Sequence, residues 1–193
     1  MKYKDIPKLT RCGTYHCDLE LEDLDHSITR YINEYDLQLN PDFQRGHVWT
    51  EAQQIAYVEF FIRGGMTGKV FYFNKPDWGV FNNVKDGDYN DMTCVDGLQR
   101  ITALLKFVRG DLPAFGHYIP KKDVPEESRA DDSKYFTDRT LRAFRDCNVE
   151  ININNLKTKR EVLAWYLEMN SGGTPHTKEE LDKVEKMIKE EKK

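Results

Sequence analysis

Apolar positions along this chain change their period several times, and each change marks an element. Residues 1–17 show no period and read as an irregular lead-in. Between Leu21 and Tyr35 the set Leu24, Ile28, Tyr31, Ile32 and Tyr35 recurs at helical spacing and predicts an amphipathic helix. Leu37-Gln38-Leu39 alternates like a short strand and stops at Asn40-Pro41, because proline has no N–H for a ladder. Thr50 and Gln53 form a capping box for a second helix. Ile55, Val58 and Phe61 supply its apolar face, and Gly64-Gly65 ends it. Lys69–Phe73 predicts a strand. The polar stretch Asn74–Asp91 predicts a long loop or hairpin with Val80 and Phe81 in one arm.

Met92–Val95 predicts a strand that runs directly into a helix over Leu98–Arg109. The apolar face of that helix is Ile101, Leu104, Leu105 and Val108, with Gly110 as its stop. Residues 111–136 are rich in proline and charge and read as loop, and Leu141–Phe144 reads as a short helix. Val149–Asn154 alternates strictly, the clearest half-buried strand in the chain. Thr158 and Glu161 cap a helix through Met169, and Thr177 and Glu180 cap a last one that is solvated beyond Met187. The resulting division is a lead-in over 1–20, one domain over 21–184 and a charged helical tail over 185–193. No internal repeat is present.

Length and charge narrow the function only a little. A chain of 193 residues buries a core without disulfide staples. Its 29 basic and 33 acidic residues leave a net charge of −4, so an anion site has to be local. The four cysteines are scattered and no apolar segment leads the chain, which points to reduced thiols in a cytoplasm. No apolar run reaches membrane-spanning length. Cys12, Cys17, His16 and His26 do not have the spacing of a standard zinc site, and no metal ligand is assigned.

Three constellations carry candidate chemistry. At Thr93–Thr102 a strand ends at Asp96-Gly97 and a helix begins, which places Asp96, Gln99 and Arg100 beside the open N–H groups of a helix start. The competing reading is a plain N-cap, with the Asp96 carboxylate accepting from the N–H of Gln99. In Pro41–Trp49, Gln44 and Arg45 pair an amide with a guanidinium that can fork onto phosphate. The flanking Phe43 and Trp49 read more simply as core anchors than as base-stacking rings. In Asn170-Ser171-Gly172-Gly173, paired glycines can make an anion nest or an ordinary helix stop. Gly64–Lys69 is not a phosphate loop, since it lacks the Walker spacing and leads into a strand. Arg139, Arg142 and Arg145 fall at helical spacing and read as a solvated face.

In this order and spacing the three elements resemble the N-terminal domain family of GmrSD-type DNA restriction systems. The residues that carry the likeness are Pro41, Phe43, Gln44, Arg45 and Trp49, then Asp96, Gly97, Gln99 and Arg100 of an Asp-Gly-Gln-Gln-Arg motif. Asn170, Gly172, Gly173, Thr177, Glu180 and Leu181 complete it. The resemblance covers about Leu21 to Val184. It implies an α/β (α+β) single domain of ParB/sulfiredoxin-like fold, a small mixed sheet flanked by helices. It also implies binding and hydrolysis of a nucleoside triphosphate, with Mg²⁺ as a candidate cofactor. By the same resemblance Asp96, Gln99 and Arg100 are the catalytic candidates. Gln44, Arg45, Gly97, Asn170, Ser171, Gly172 and Gly173 are the nucleotide-binding ones.

The chain departs from the family pattern at three places. Leu98 stands for the first Gln of the motif, Gly46 for a usual Pro and His176 for a usual Leu. Leu98 bears on turnover more than on binding. The five histidines show no His-Asn-His arrangement, so nuclease activity is not expected of this chain alone. The motif also lacks a sulfiredoxin-type cysteine. The alternative reading is a non-catalytic ParB-like module that binds DNA or a protein of a defence system.

Overall fold

The computed structural model describes residues 6, 9–10, 13, 15–79, 91–121, 134–170 and 178–191. Among them lie six α-helices and one four-stranded mixed sheet, a small α+β arrangement. The strands are β1 (Tyr15–Glu20), β2 (Val70–Asn74), β3 (Thr93–Asp96) and β4 (Asn148–Asn154), in the spatial order β1-β4-β2-β3. β4 runs antiparallel to β1 and parallel to β2, and β2 runs antiparallel to β3. The helices are α1 (Leu24–Tyr35), α2 (Glu51–Ile62), α3 (Leu98–Val108), α4 (Asp138–Ala143), α5 (Lys159–Asn170) and α6 (Lys178–Glu190).

Side-chain alternation in the strands sorts the core into two layers, because successive residues of a strand point to opposite faces. Phe71, Phe73, Cys94, Val149, Ile151 and Ile153 face one side. There they meet Leu24, Ile28 and Tyr31 of α1, Val58 and Phe61 of α2, and Ile101, Leu104 and Phe107 of α3. Val95 and Tyr72 face the other side, where Val162, Leu163, Trp165 and Tyr166 of α5 and Val184 of α6 cover them. Phe43, from the irregular segment before α2, is buried in this second layer with its ring 5.1 Å from that of Tyr166. Burial of apolar area at about 25 cal/mol per Å² makes these two layers the main source of stability.

The capping box at Thr50 and Gln53 forms as expected, and Thr158 and Glu161 bond reciprocally at the start of α5. Four local expectations change. The irregular lead-in of 1–20 contains β1, an edge strand in register with β4 from Tyr15 opposite Ile153 to Glu20 opposite Asn148. Its alternation is diluted by polar side chains, as is usual at an edge. Leu37–Leu39 makes a single bridge, Gln38 to Thr93, and does not extend because Pro41 follows. The short helix predicted at Leu141–Phe144 starts earlier, at Asp138, where Thr137 caps it through the N–H of Thr140. In the last helix Met187 and Ile188 pack against the second layer, so the apolar face continues past Met187. The proposed hairpin arm at Val80 and Phe81, and Cys12 of the zinc grouping, lie outside the described residues. Among those described, no cluster of three metal-ligating side chains occurs, and no helix is long and apolar enough to cross a membrane.

Candidate functional site

β3 ends at Asp96, and the chain turns at Gly97 with φ +113° before α3 begins at Leu98. A left-handed φ of this kind strains any residue with a β-carbon. A β-carbon at residue 97 would also meet the Phe71 ring at 2.5 Å. Glycine is therefore required here by the turn and by the packing beneath it. Gly97 is also the residue that precedes the helix, so the N-cap position has no side chain to bond the first turn of α3, and the Leu98 N–H is directed at the Cys94 thiol. The plain N-cap reading for Asp96 is thereby corrected. Asp96 lies one position too early to bond the first-turn N–H groups, and its Oδ2 instead accepts from Arg100 Nη2 at 2.5 Å. The first intrahelical bond is Ile101 N–H to the Gly97 carbonyl, 2.9 Å. Helix geometry leaves the N–H groups of Leu98, Gln99 and Arg100 without an intrahelical acceptor.

Arg100 is held on three sides. Besides Asp96 it donates Nη1 to the Val70 carbonyl at 2.9 Å, and its guanidinium lies over the Phe71 ring, 5.5 Å from the centroid. Its side chain keeps 18% of its surface exposed, against 36% for Asp96. The positive end of the helix and the Arg100 charge thus sit together, with Asp96 offsetting part of that charge.

Residues 41–50 form an irregular strap across this helix start. Its near end is fixed by Lys159 Nζ to Asp42 Oδ2 (2.9 Å), by Lys183 Nζ to the Asp42 carbonyl (2.7 Å), and by the burial of Phe43. Gln44 Nε2 donates to the Cys94 carbonyl at 2.7 Å. Gln99 reaches up from α3: its Oε1 accepts from Val48 N–H (2.9 Å) and Trp49 N–H (3.1 Å), and its Nε2 donates to the Gly46 carbonyl (2.7 Å). At the far end Gln54, buried in α2, donates to the Trp49 carbonyl at 3.1 Å.

Between the strap, α3 and the end of α5 lies a cleft of about 360 Å³. Of the residues singled out from sequence, Gln44, Arg45, Asp96, Gly97, Gln99, Arg100 and Asn170 all line it. Ser171, Gly172 and Gly173 lie outside the described residues. Asn170 ends α5 with its Nδ2 on the Tyr166 carbonyl, 2.7 Å. The wall also contains Trp49, Leu98, Tyr166 and Met169. The core reading fits Phe43, whereas Trp49 both packs on the main core and faces the cleft. Met169 directly precedes the Asn170 motif in the chain, whereas Tyr166 had no sequence signal as a wall residue.

Titration in the site is governed by burial. Cys94, directly behind the cleft, has its thiol pushed up to about 12, first by burial and then by the negative charge of Asp96. It is no thiolate at neutral pH, consistent with the absence of a sulfiredoxin-type cysteine from the motif. His47, on the strap, is held below the usual histidine range by partial burial and by the charge of Lys106.

Residues 28–185 match the family described as the N-terminal domain of GmrSD restriction endonuclease. No curated protein and no solved structure matches the chain. The match takes in the strap, the Asp96–Arg100 turn and the end of α5, the three parts that build the cleft. The chain belongs to the GmrSD restriction endonuclease N-terminal domain family.

Proposed function

We propose that the cleft binds a nucleoside triphosphate, phosphates toward the start of α3, and hydrolyses it in the service of a restriction or counter-restriction system. The observation that carries this reading is the uncapped start of α3, open to a cleft that also holds Arg45 and Arg100. The Gln99 and Arg100 N–H groups, at the positive end of the helix, have no intrahelical acceptor, and N–H groups so placed favour phosphate oxygens. Two guanidiniums add the positive charge that stabilises a departing phosphoryl group. The cleft volume of about 360 Å³ lies within the range of small-ligand sites.

Asp96 is the carboxylate of the cleft wall, with one oxygen on Arg100. Mg²⁺ is usually held by one or two carboxylates together with phosphate oxygens and water, and Asp96 suits that role. Such an ion would neutralise phosphate charge. Asp96 would also orient water, and Arg45, on the exposed strap, would reach the phosphates from above. Gln99 has a different part, because its amide is engaged by the strap.

A second reading, nucleotide or partner binding without turnover, is favoured by one observation. Leu98, buried and apolar, occupies the place of an amide in the motif. DNA or a defence-system protein would then be the partner.

Titration with each of the four nucleoside triphosphates and Mg²⁺, followed by phosphate release, tests both readings. Binding with release that Arg45→Ala weakens supports the enzyme. Binding without release supports the module, and no binding of any nucleotide overturns the phosphate site.

A further inference from the structure

The strap has no regular structure, so a backbone ladder does not hold it to α3. Glutamine side chains hold it in place instead, Gln44 and Gln99 reaching in opposite directions and Gln54 bonding the Trp49 carbonyl. Gln44 ties the strap to β3, while Gln99 ties α3 to the strap. The Gln99 clasp is the more complete of the two: its oxygen accepts from two successive backbone N–H groups, and its nitrogen donates to a backbone carbonyl. An amide is the side-chain group that can both accept twice and donate. A carboxylate at the same place would accept from Val48 and Trp49 but face the Gly46 carbonyl with like polarity, and leucine would do neither.

Gly46 immediately follows Arg45 and takes φ +78°. The carbonyl that Gln99 holds is therefore one residue from the Arg45 Cα, at a turn that sets where the arginine side chain leaves the strap. We propose that Gln99 is a positioning residue. Its side chain makes no contact with the nucleotide, but fixes the Gly46–Trp49 backbone and thereby aims Arg45 at the phosphates over the start of α3. This rests on the nucleotide reading above. It moves Gln99 from the catalytic group in which the motif placed it to the support of another residue. An arginine on a fixed strap binds without the entropy cost of ordering a loop, which is the advantage the clasp supplies.

Two measurements test it on the full chain. The first needs no nucleotide: amide hydrogen exchange at Val48 and Trp49. Loss of the clasp in Gln99→Leu is expected to speed exchange at both by about tenfold, the effect of removing about one hydrogen bond's worth of protection. Gln99→Glu, which keeps the acceptor, retains most of that protection and serves where Gln99→Leu fails to fold. The second is a double-mutant cycle on the Kd for whichever of ATP, GTP, CTP or UTP binds with Mg²⁺. Gln99→Leu is expected to weaken binding about tenfold in the wild-type background and less than about twofold in Arg45→Ala, since coupled residues are non-additive. Unchanged exchange at Val48 and Trp49 overturns the clasp. Faster exchange with fully additive losses overturns the route through Arg45. If the wild-type chain binds no nucleotide, the nucleotide reading and the aiming of Arg45 at phosphate both fail, while exchange still decides whether Gln99 holds the strap.

Discussion

The ring of Phe71 occupies the place where a side chain on residue 97 would begin. The nearest ring carbon is 2.5 Å from an ideal β-carbon there. Arg100 lies over the same ring. One aromatic of β2 thus sets both the glycine at the turn and the seat of the guanidinium in the first turn of α3. Gly97→Ala adds a strained left-handed φ to a clash with a fully buried ring. Together these should cost about 2–4 kcal/mol, read as a lower midpoint in urea unfolding.

Arg45 and Arg100 line one cleft but differ in what their loss does to the fold. Arg100→Ala removes the donor to the Val70 carbonyl and leaves Asp96 without its cation, so stability should fall by about 1–3 kcal/mol. Arg45 is exposed on the strap, and Arg45→Ala should cost less stability than Arg100→Ala. Thermal unfolding and nucleotide titration on the same two variants separate the effects: Arg45→Ala should lose affinity with the smaller loss of stability.

Burial of Cys94 makes stability pH-dependent on the alkaline side. Its thiol ionises near 9 when unfolded and only at about 12 in the fold. Between those values the unfolded chain has released a proton that the folded chain retains, so ionisation favours unfolding. The contribution is complete below pH 9 and declines as pH rises toward 12, with a slope of up to about 1.4 kcal/mol per pH unit. Urea unfolding from pH 8 to 11 should show a shallower decline for Cys94→Ala than for wild type. Equal slopes would remove Cys94 as the cause.

Phe43 joins the strap to the second layer, and Phe43→Ala leaves a cavity against Tyr166 and Val184. Truncating a buried phenylalanine costs about 3–5 kcal/mol. The same change should weaken nucleotide binding, because the strap loses the anchor nearest Gln44 and Arg45. A variant that unfolds more easily yet binds nucleotide with wild-type affinity would count against the strap as a wall of the site.

Much of this arrangement was legible in the sequence because period and punctuation agree there. Val149–Asn154 alternates and forms β4, and the Thr50/Gln53 box starts α2 where it should. The first two motifs and Asn170 of the third line one cleft. What the sequence concealed was the direction of individual side chains. Asp96 reads as a cap until the left-handed turn at Gly97 moves the helix start one residue on. Gln99 reads as a catalytic candidate, and nothing local shows that its amide bonds the strap, fifty residues away in the chain. β1 was hidden because an edge strand with charged side chains has little apolar contrast. The Gln99 and β1 cases depend on which distant backbone comes to lie alongside.

α6 reaches the cleft without lining it. Lys183 holds the carbonyl of Asp42, and Val184 shares its apolar neighbours with Phe43, so the last described helix grips the root of the strap by one polar and one apolar hold. A load applied to α6 is therefore delivered to the chain segment that bears Arg45, with the larger layer on the opposite face of the sheet acting as the fixed mount.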